Sequence, residues 1–199
     1  MKKTITLLIL AFVNLFLWSS KTEAENIRGH EAVDLGLSVK WAQCNVGASR
    51  PWDNGNYYAW GETYTKGSYS PDNCDTYYKS FNDIKGTEYD IAQSSWGGTW
   101  RIPTKTEMEE LRDKCDWTWS TEGGKQGWKV TGPNGNSIFL PAAGAGFPHG
   151  VVGEGSGNYS TSTPFRNNKD AYTLFFSDAS RFVGVNSRHF GYTVRPVSK

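Results

Sequence analysis

The chain has 199 residues, 15% of them aromatic, and its 21 basic residues against 20 acidic ones give a formal net charge of +1. That balance provides no strong attraction to nucleic acid or to an anionic membrane, and the length suits one domain with a core of its own. So many Trp, Tyr and Phe residues argue against disorder.

The first zone holds Lys2 and Lys3, the second an apolar run from Ile5 to Trp18 broken only by Thr6 and Asn14, and the third a polar stretch from Ser19 to Ala24. This order predicts a secretion signal, residues 1–24, cut after Ala24 and leading to the periplasm or cell surface. The run is shorter than the roughly 20 residues of a spanning helix, so no stable membrane insertion is expected after cleavage. No cysteine precedes Cys44, which argues against a lipid anchor. Losing Lys2, Lys3, Lys21 and Glu23 takes the 21 basic and 20 acidic residues to 18 and 19, a formal charge of −1 for a single domain over 25–199.

Val33, Leu35, Leu37, Val39 and Trp41 alternate with polar residues or glycine, which predicts a half-buried strand that Gly36 can break in two. Residues 45–83 are rich in Gly, Asn, Asp, Ser and Tyr and carry no periodicity, so a long ordered loop is expected there. A short helix is expected around Glu88–Ser94. The next helix, from about Lys105 to Cys115, is better marked: Thr104 and Glu107 have the spacing of a capping box, and Met108, Leu111 and Cys115 share a face. Trp128–Thr131 and Ser137–Pro141 flank the turn residues Pro133, Asn134, Gly135 and Asn136, predicting a hairpin. A Gly-rich loop follows over 142–157, then strands at Tyr172–Phe176, Phe182–Val185 and Tyr192–Val194. The class is α+β: small antiparallel strands, one clear helix, a shorter one, and much ordered loop.

Three cysteines allow at most one internal bridge. Cys44 with Cys115 is the preferred pair, because both fall at the edges of predicted elements while Cys74 lies in a polar loop as a partly exposed spare thiol. The alternative pairs remain open.

Five segments carry a resemblance: VDLGLSVKWAQCNVGA (33–48), YYAWGE (57–62), WGGTWRIPT (96–104), VTGPNGNSIFLPAAG (130–144) and GYTVRPV (191–197). Together they resemble the Fibrobacter succinogenes major paralogous domain family of exported Bacteroidetes-type proteins, which is similar to the C-type lectin-like fold of formylglycine-generating enzymes. That resemblance implies that 33–41 lies beside 191–197, and that loops near Ser160–Asn168 and between the last strands meet a ligand. The residues it points to are Tyr159, Arg166, Asn167, Asn168, Asp178, Arg181, Asn186, Arg188 and His189, each expected to face outward. Trp96, Trp100 and Arg101 are expected to be structural, as core aromatics and a buried or capping arginine.

Enzymatic relatives of that fold use cysteines near the C-terminal strand for copper, or a paired-histidine iron site. Here no cysteine follows Cys115, and His30, His149 and His189 are isolated in sequence, so neither activity nor any cofactor is expected. The Glu-Pro-Asn and Trp-Asn-Asp strings of calcium lectins are missing, Asp53–Glu62 lacks EF-hand spacing, and no Gly-x-Ser-x-Gly elbow occurs. Loop carboxylates Asp53, Glu62 and Glu154 are the candidates for a glycosidase pair. The expectation is a metal-independent, non-enzymatic module whose partner is a glycan or a cell-surface protein. The alternatives are a structural or adhesive accessory, favoured if Cys74 bridges two molecules, and then a carbohydrate-active enzyme.

Overall fold

A computed structural model describes residues 24–199, so the expected secretion signal lies outside the described residues except for Ala24. The strands are β1 (Glu25–Ile27), β2 (His30–Val33), β3 (Lys40–Ala42), β4 (Asp116–Glu122), β5 (Lys125–Thr131), β6 (Ser137–Pro141), β7 (Ala145–Phe147), β8 (Gly150–Val152), β9 (Ser156–Pro164), β10 (Asp170–Ser177), β11 (Arg181–Ser187) and β12 (Val197–Ser198). The helices are α1 (Ile91–Trp96) and α2 (Lys105–Lys114). Four small sheets result, with strand orders β1-β2-β3-β12, β11-β10-β9, β4-β5-β6 and β7-β8. Every pairing within them is antiparallel, so the α+β class is observed. Among the described residues no helix is long and apolar enough to cross a membrane.

Helix α2 starts where the local signals place it. The Thr104 hydroxyl accepts from the Glu107 amide at 3.3 Å, and the Glu107 carboxylate accepts from the Thr104 amide at 2.8 Å. Met108 and Leu111 turn into the core. Arg101 adds two hydrogen bonds to Glu107, at 2.6 and 2.8 Å, so this arginine is structural, as are the buried Trp96 and Trp100. Burial raises the Glu107 pKa, but the bonds from Arg101 and Thr104 outweigh it and hold the carboxyl below its ordinary range. A depressed carboxyl stabilises the fold above its unfolded pKa of about 4.3, and that contribution disappears as pH falls through the folded value. Glu107→Gln is therefore expected to cost about 1.5–3 kcal/mol in urea unfolding at pH 7, with the gap closing by pH 3. An equal gap at both pH values would show that packing, not charge, is responsible.

Other elements shift relative to the sequence expectation. The alternation from Val33 to Trp41 is not one strand: β2 ends at Val33 and β3 begins at Lys40. Gly36, at φ +74°, reverses the chain between them, and the side-chain amides of Asn134 and Asn136 both bond the Asp34 carbonyl at 2.8 Å. Leu35 and Val39 are still buried, so alternating burial here reflects a bend that dips twice into the core. Helix α1 begins three residues later than expected, behind Asp90. Residues 142–157 are not all loop, since they hold the β7–β8 hairpin and the start of β9. Tyr192–Val194 forms isolated bridges to Tyr58 and Tyr159 instead of a strand. Strand β4, which pairs along its whole length with β5, had no sequence counterpart.

The termini meet as the resemblance implied: Val197 pairs with Trp41, and the Ala42 amide bonds the Pro196 carbonyl at 2.9 Å. Further bridges join Val197 to Arg101, Gly191 to Gly146, and Thr193 to Tyr159, so residues 191–198 run as a seam between otherwise separate layers. Arg195 lies within that seam, fully buried. Its guanidinium bonds the Asn45 side chain at 2.7 Å and the carbonyls of Ala42, Gln43 and Phe139 at 3.0, 2.6 and 2.9 Å.

All three cysteines are free, so the preferred Cys44–Cys115 bridge is absent. Cys115 ends α2 inside the main core cluster, whereas Cys44 is half-buried near Arg195. Cys74 is buried rather than exposed, packed with Ala59 and Tyr69.

Candidate functional site

The long loop over 45–83 does have a defined path. Trp60 and Tyr69 are buried, and the Tyr69 ring lies on Gly146 and Gly191, where an added Cβ would come within 2.7 Å of it. This packing fixes the 145–147 and 189–192 segments against the loop. Their side chains then form a row of rings at the surface. Tyr78 meets Tyr77 edge-on at 4.5 Å, Tyr77 meets His189 at 5.4 Å, His189 meets Phe190 at 4.1 Å, and Phe190 meets Phe147 at 4.7 Å. Tyr78 is 65% exposed and the other four are half-buried.

Tyr78 has φ +69° and Asn168 has φ +59°, both in the left-handed region. For a bulky residue that conformation costs about 1–2 kcal/mol. The two sites support each other, since the Tyr78 amide donates to the Asn168 carbonyl at 2.9 Å. Strained backbone of this kind clusters at functional sites, which makes the exposed Tyr78 ring a candidate contact.

Arg188 anchors the row from beneath. It is buried, with its guanidinium 4.3 Å from the centre of the Trp60 ring and 5.7 Å from that of Phe81. It donates to the carbonyls of Asp170 at 3.0 Å, Lys79 at 2.8 Å, Asn168 at 3.3 Å and Thr76 at 3.4 Å. Among the described residues it has no carboxylate partner, and Nη2 has no acceptor. Burial pulls its pKa down from the ordinary value.

The residues expected at a site therefore divide. Asn167, Asn168, Arg188 and His189 come together at the row, and Arg166 is exposed on the same turn. Tyr159 is not outward: it is fully buried on β9, stacked on Phe176 and bonded through its hydroxyl to the Pro141 carbonyl. Arg188 is likewise buried instead of outward. Asn186 bonds Thr173 across the β10–β11 pair at 2.8 Å. Asp178 and Arg181 lie at the far end of that hairpin, where Arg181 is six residues along β11 from Ser187 and so roughly 20 Å away at about 3.3 Å per residue. There the Arg181 guanidinium covers Trp117 and Trp128. Sequence reasoning missed Tyr77, Tyr78, Phe147 and Phe190, although the tyrosine-rich loop gave a signal for the first two.

The Ser187 hydroxyl lies 2.7 Å from His189 Nδ1, and burial lowers the His189 pKa, so the neutral ring is favoured at pH 7. Among the described residues no carboxylate hydrogen-bonds this histidine: the Asp170 carboxylate accepts from Asn167 at 2.6 Å. The pair orients an imidazole within the row and does not make a catalytic triad. Of the carboxylate candidates, Glu62 is buried and held by Lys66 and the Asp75 amide, each at 2.6 Å, while Asp53 is bound by Arg50. Glu154 borders a shallow hollow of about 270 Å³ with Asn54, Lys125 and Gln126. A larger hollow, about 660 Å³, lies elsewhere, among Glu31, Asp34, Lys40 and Asn136.

The chain matches no family model, no curated protein and no solved structure.

Proposed function

We propose that the domain is an exported, non-enzymatic module that binds a glycan by stacking on the row from Tyr78 to Phe147, on a C-type lectin-like scaffold of the Fibrobacter succinogenes major paralogous domain type. The observation that carries this reading is the row itself: five neighbouring rings, the most exposed of them held in strained backbone. Aromatic faces pack against the C–H faces of sugars, while the exposed Asn167 amide, which spends one of its two hydrogens on Asp170, has the other to offer a hydroxyl. The adjacency of the terminal strands supports the scaffold assignment.

The reading is tested by glycan-array binding of residues 25–199, with and without EDTA. Binding insensitive to EDTA is expected, and Tyr78→Ala or Phe190→Ala is expected to weaken it about tenfold or more, as loss of an aromatic anchor worth about 2 kcal/mol does. Phe182→Ala, exposed but outside the row, should leave binding intact. Unchanged affinity in both row variants would reject the site. Tyr78→Gly separates function from stability: it should weaken binding while raising stability by about 0.5–1 kcal/mol, because glycine accepts a positive φ freely.

One observation favours a second reading, an adhesive accessory that pairs with another protein. Strand β11 is a sheet edge on which Phe182 is 49% and Val185 40% exposed. Cys74, whose bridging of two molecules would favour this reading, is buried. Array silence together with capture of an envelope protein that Phe182→Lys abolishes would select it.

A further inference from the structure

We infer that the glycan taken by the aromatic row is anionic, bearing carboxylate or sulfate groups; this rests on the glycan-binding reading above. The inference comes from the cations gathered at the row, in a chain whose formal net charge is only +1. Lys169 Nζ lies over the Tyr78 ring, 5.1 Å from its centre. Arg166 is exposed on the same turn, and Lys79 is exposed directly after Tyr78. None of these three cations has an ion-pair partner among the described residues.

A fourth cation lies underneath. Arg188 is 1% exposed, bonded only to neutral carbonyls, and has one nitrogen without an acceptor. A buried charge lacking a counter-ion is poorly screened, so its field reaches the adjacent surface more strongly than that of a solvated side chain. Asp170 lies close enough to act on both Arg188 and His189 and offsets part of this field, keeping its charge while it accepts from Asn167 at 2.6 Å. One such carboxylate against four cations leaves a positive surplus at the row. A neutral sugar would leave the exposed cations with water alone. An acidic one stacks on the rings and also neutralises them, and arginine is suited to hold a carboxylate or sulfate by two parallel bonds.

The experiment measures binding of residues 25–199 to polygalacturonate, dextran sulfate and neutral dextran by calorimetry in 0.1 M and 1 M NaCl. Over that range the Debye length falls from about 10 Å to about 3 Å. At least one anionic polymer is expected to bind, with affinity falling at least tenfold in high salt, and neutral dextran is not. Which polymer binds separates carboxylate from sulfate recognition. Arg166→Gln with Lys169→Gln should weaken binding tenfold or more at an unchanged melting temperature, whereas Lys125→Gln with Lys129→Gln, exposed on β5, should not. Neutral dextran binding as tightly, indifferent to salt and to the Arg166 and Lys169 changes but lost in Tyr78→Ala, would overturn the anionic inference and leave the row standing. Equal loss in both double variants, with Tyr78→Ala silent, would mark general charge attraction and overturn it as well. No binding to any polymer would overturn it outright, and array silence besides would remove the reading beneath it.

Discussion

Arg195→Met is expected to lower the unfolding free energy by about 3–5 kcal/mol. The guanidinium is fully buried and donates to four acceptors that belong to two separate parts of the chain, the Ala42–Asn45 segment and β6 through Phe139, and so ties both to its own seam. Methionine fills similar space but donates nothing, and each buried acceptor left without a donor costs roughly 1–3 kcal/mol. Relief from burying a cation offsets part of this, as it does when whole buried ion pairs are replaced, but here the acceptors remain behind. Asn45 would also be left holding only the Asn54 carbonyl and the Tyr159 hydroxyl. Arg195→Lys should be intermediate, since it keeps the charge but loses the planar fork. Urea unfolding at pH 7 measures both. A methionine variant within 1 kcal/mol of the parent would show that these carbonyls find other donors, water included.

Asp90→Ala should be almost as damaging, at about 3–4 kcal/mol. The carboxylate is fully buried and receives five hydrogen bonds from four backbone amides: Ala92 and Gln93 at the start of α1, Gly86 before it, and Ile102, which reaches both oxygens at 3.0 and 3.1 Å. Loss of a helix cap alone costs about 1 kcal/mol, and the stranded Gly86 and Ile102 amides add their desolvation. Asp90→Asn keeps the shape but turns an NH₂ group toward a backbone N–H, so a loss of about 1–2 kcal/mol is expected. If asparagine proved as damaging as alanine, the negative charge would be the decisive feature; if both were harmless, the cap would be replaceable. Because α1 carries Trp96, which stacks on His30 at 3.6 Å, hydrogen exchange at β2 should rise in the alanine variant as well.

What the sequence revealed depends on how far apart the determinants lie. Helix α2 was legible because its cap and buried face occur within a dozen residues. The β5–β6 hairpin was legible because its turn carries its own backbone preferences. Strand β9 was not, because Ser160, Thr161 and Ser162 look solvated yet are all buried. Small hydroxyl residues suit that place: the Thr161 hydroxyl bonds the Tyr172 carbonyl at 2.7 Å, and the Ser160 amide bonds Thr193 at 3.0 Å across a close approach of the seam. That burial also explains why Tyr159, expected in a binding loop, is in the core. The aromatic row was invisible for a similar reason, since positions 77–78, 147 and 189–190 are brought together by Tyr69 and its two glycines, and no local pattern records that meeting. Of the residues singled out through the resemblance, Asn167, Asn168 and His189 lie at the row and Asp178 and Arg181 at the other end of the β10–β11 hairpin, two ends that sequence alone did not distinguish.

The seam of residues 191–198 has a kinetic consequence. Its partners Trp41, Tyr58, Arg101 and Tyr159 are spread along the chain, so it cannot dock before all of them are in place, and each closure spans a long loop. Topologies dominated by such distant pairings fold slowly, in milliseconds to seconds, even when a helix such as α2 forms early. A chain emerging N-terminus first therefore stays open until residues 191–198 are free, with Trp41 and Trp100 still reachable by water, chaperones or proteases. Completion of this domain's fold is one late event, and that short segment decides when it happens.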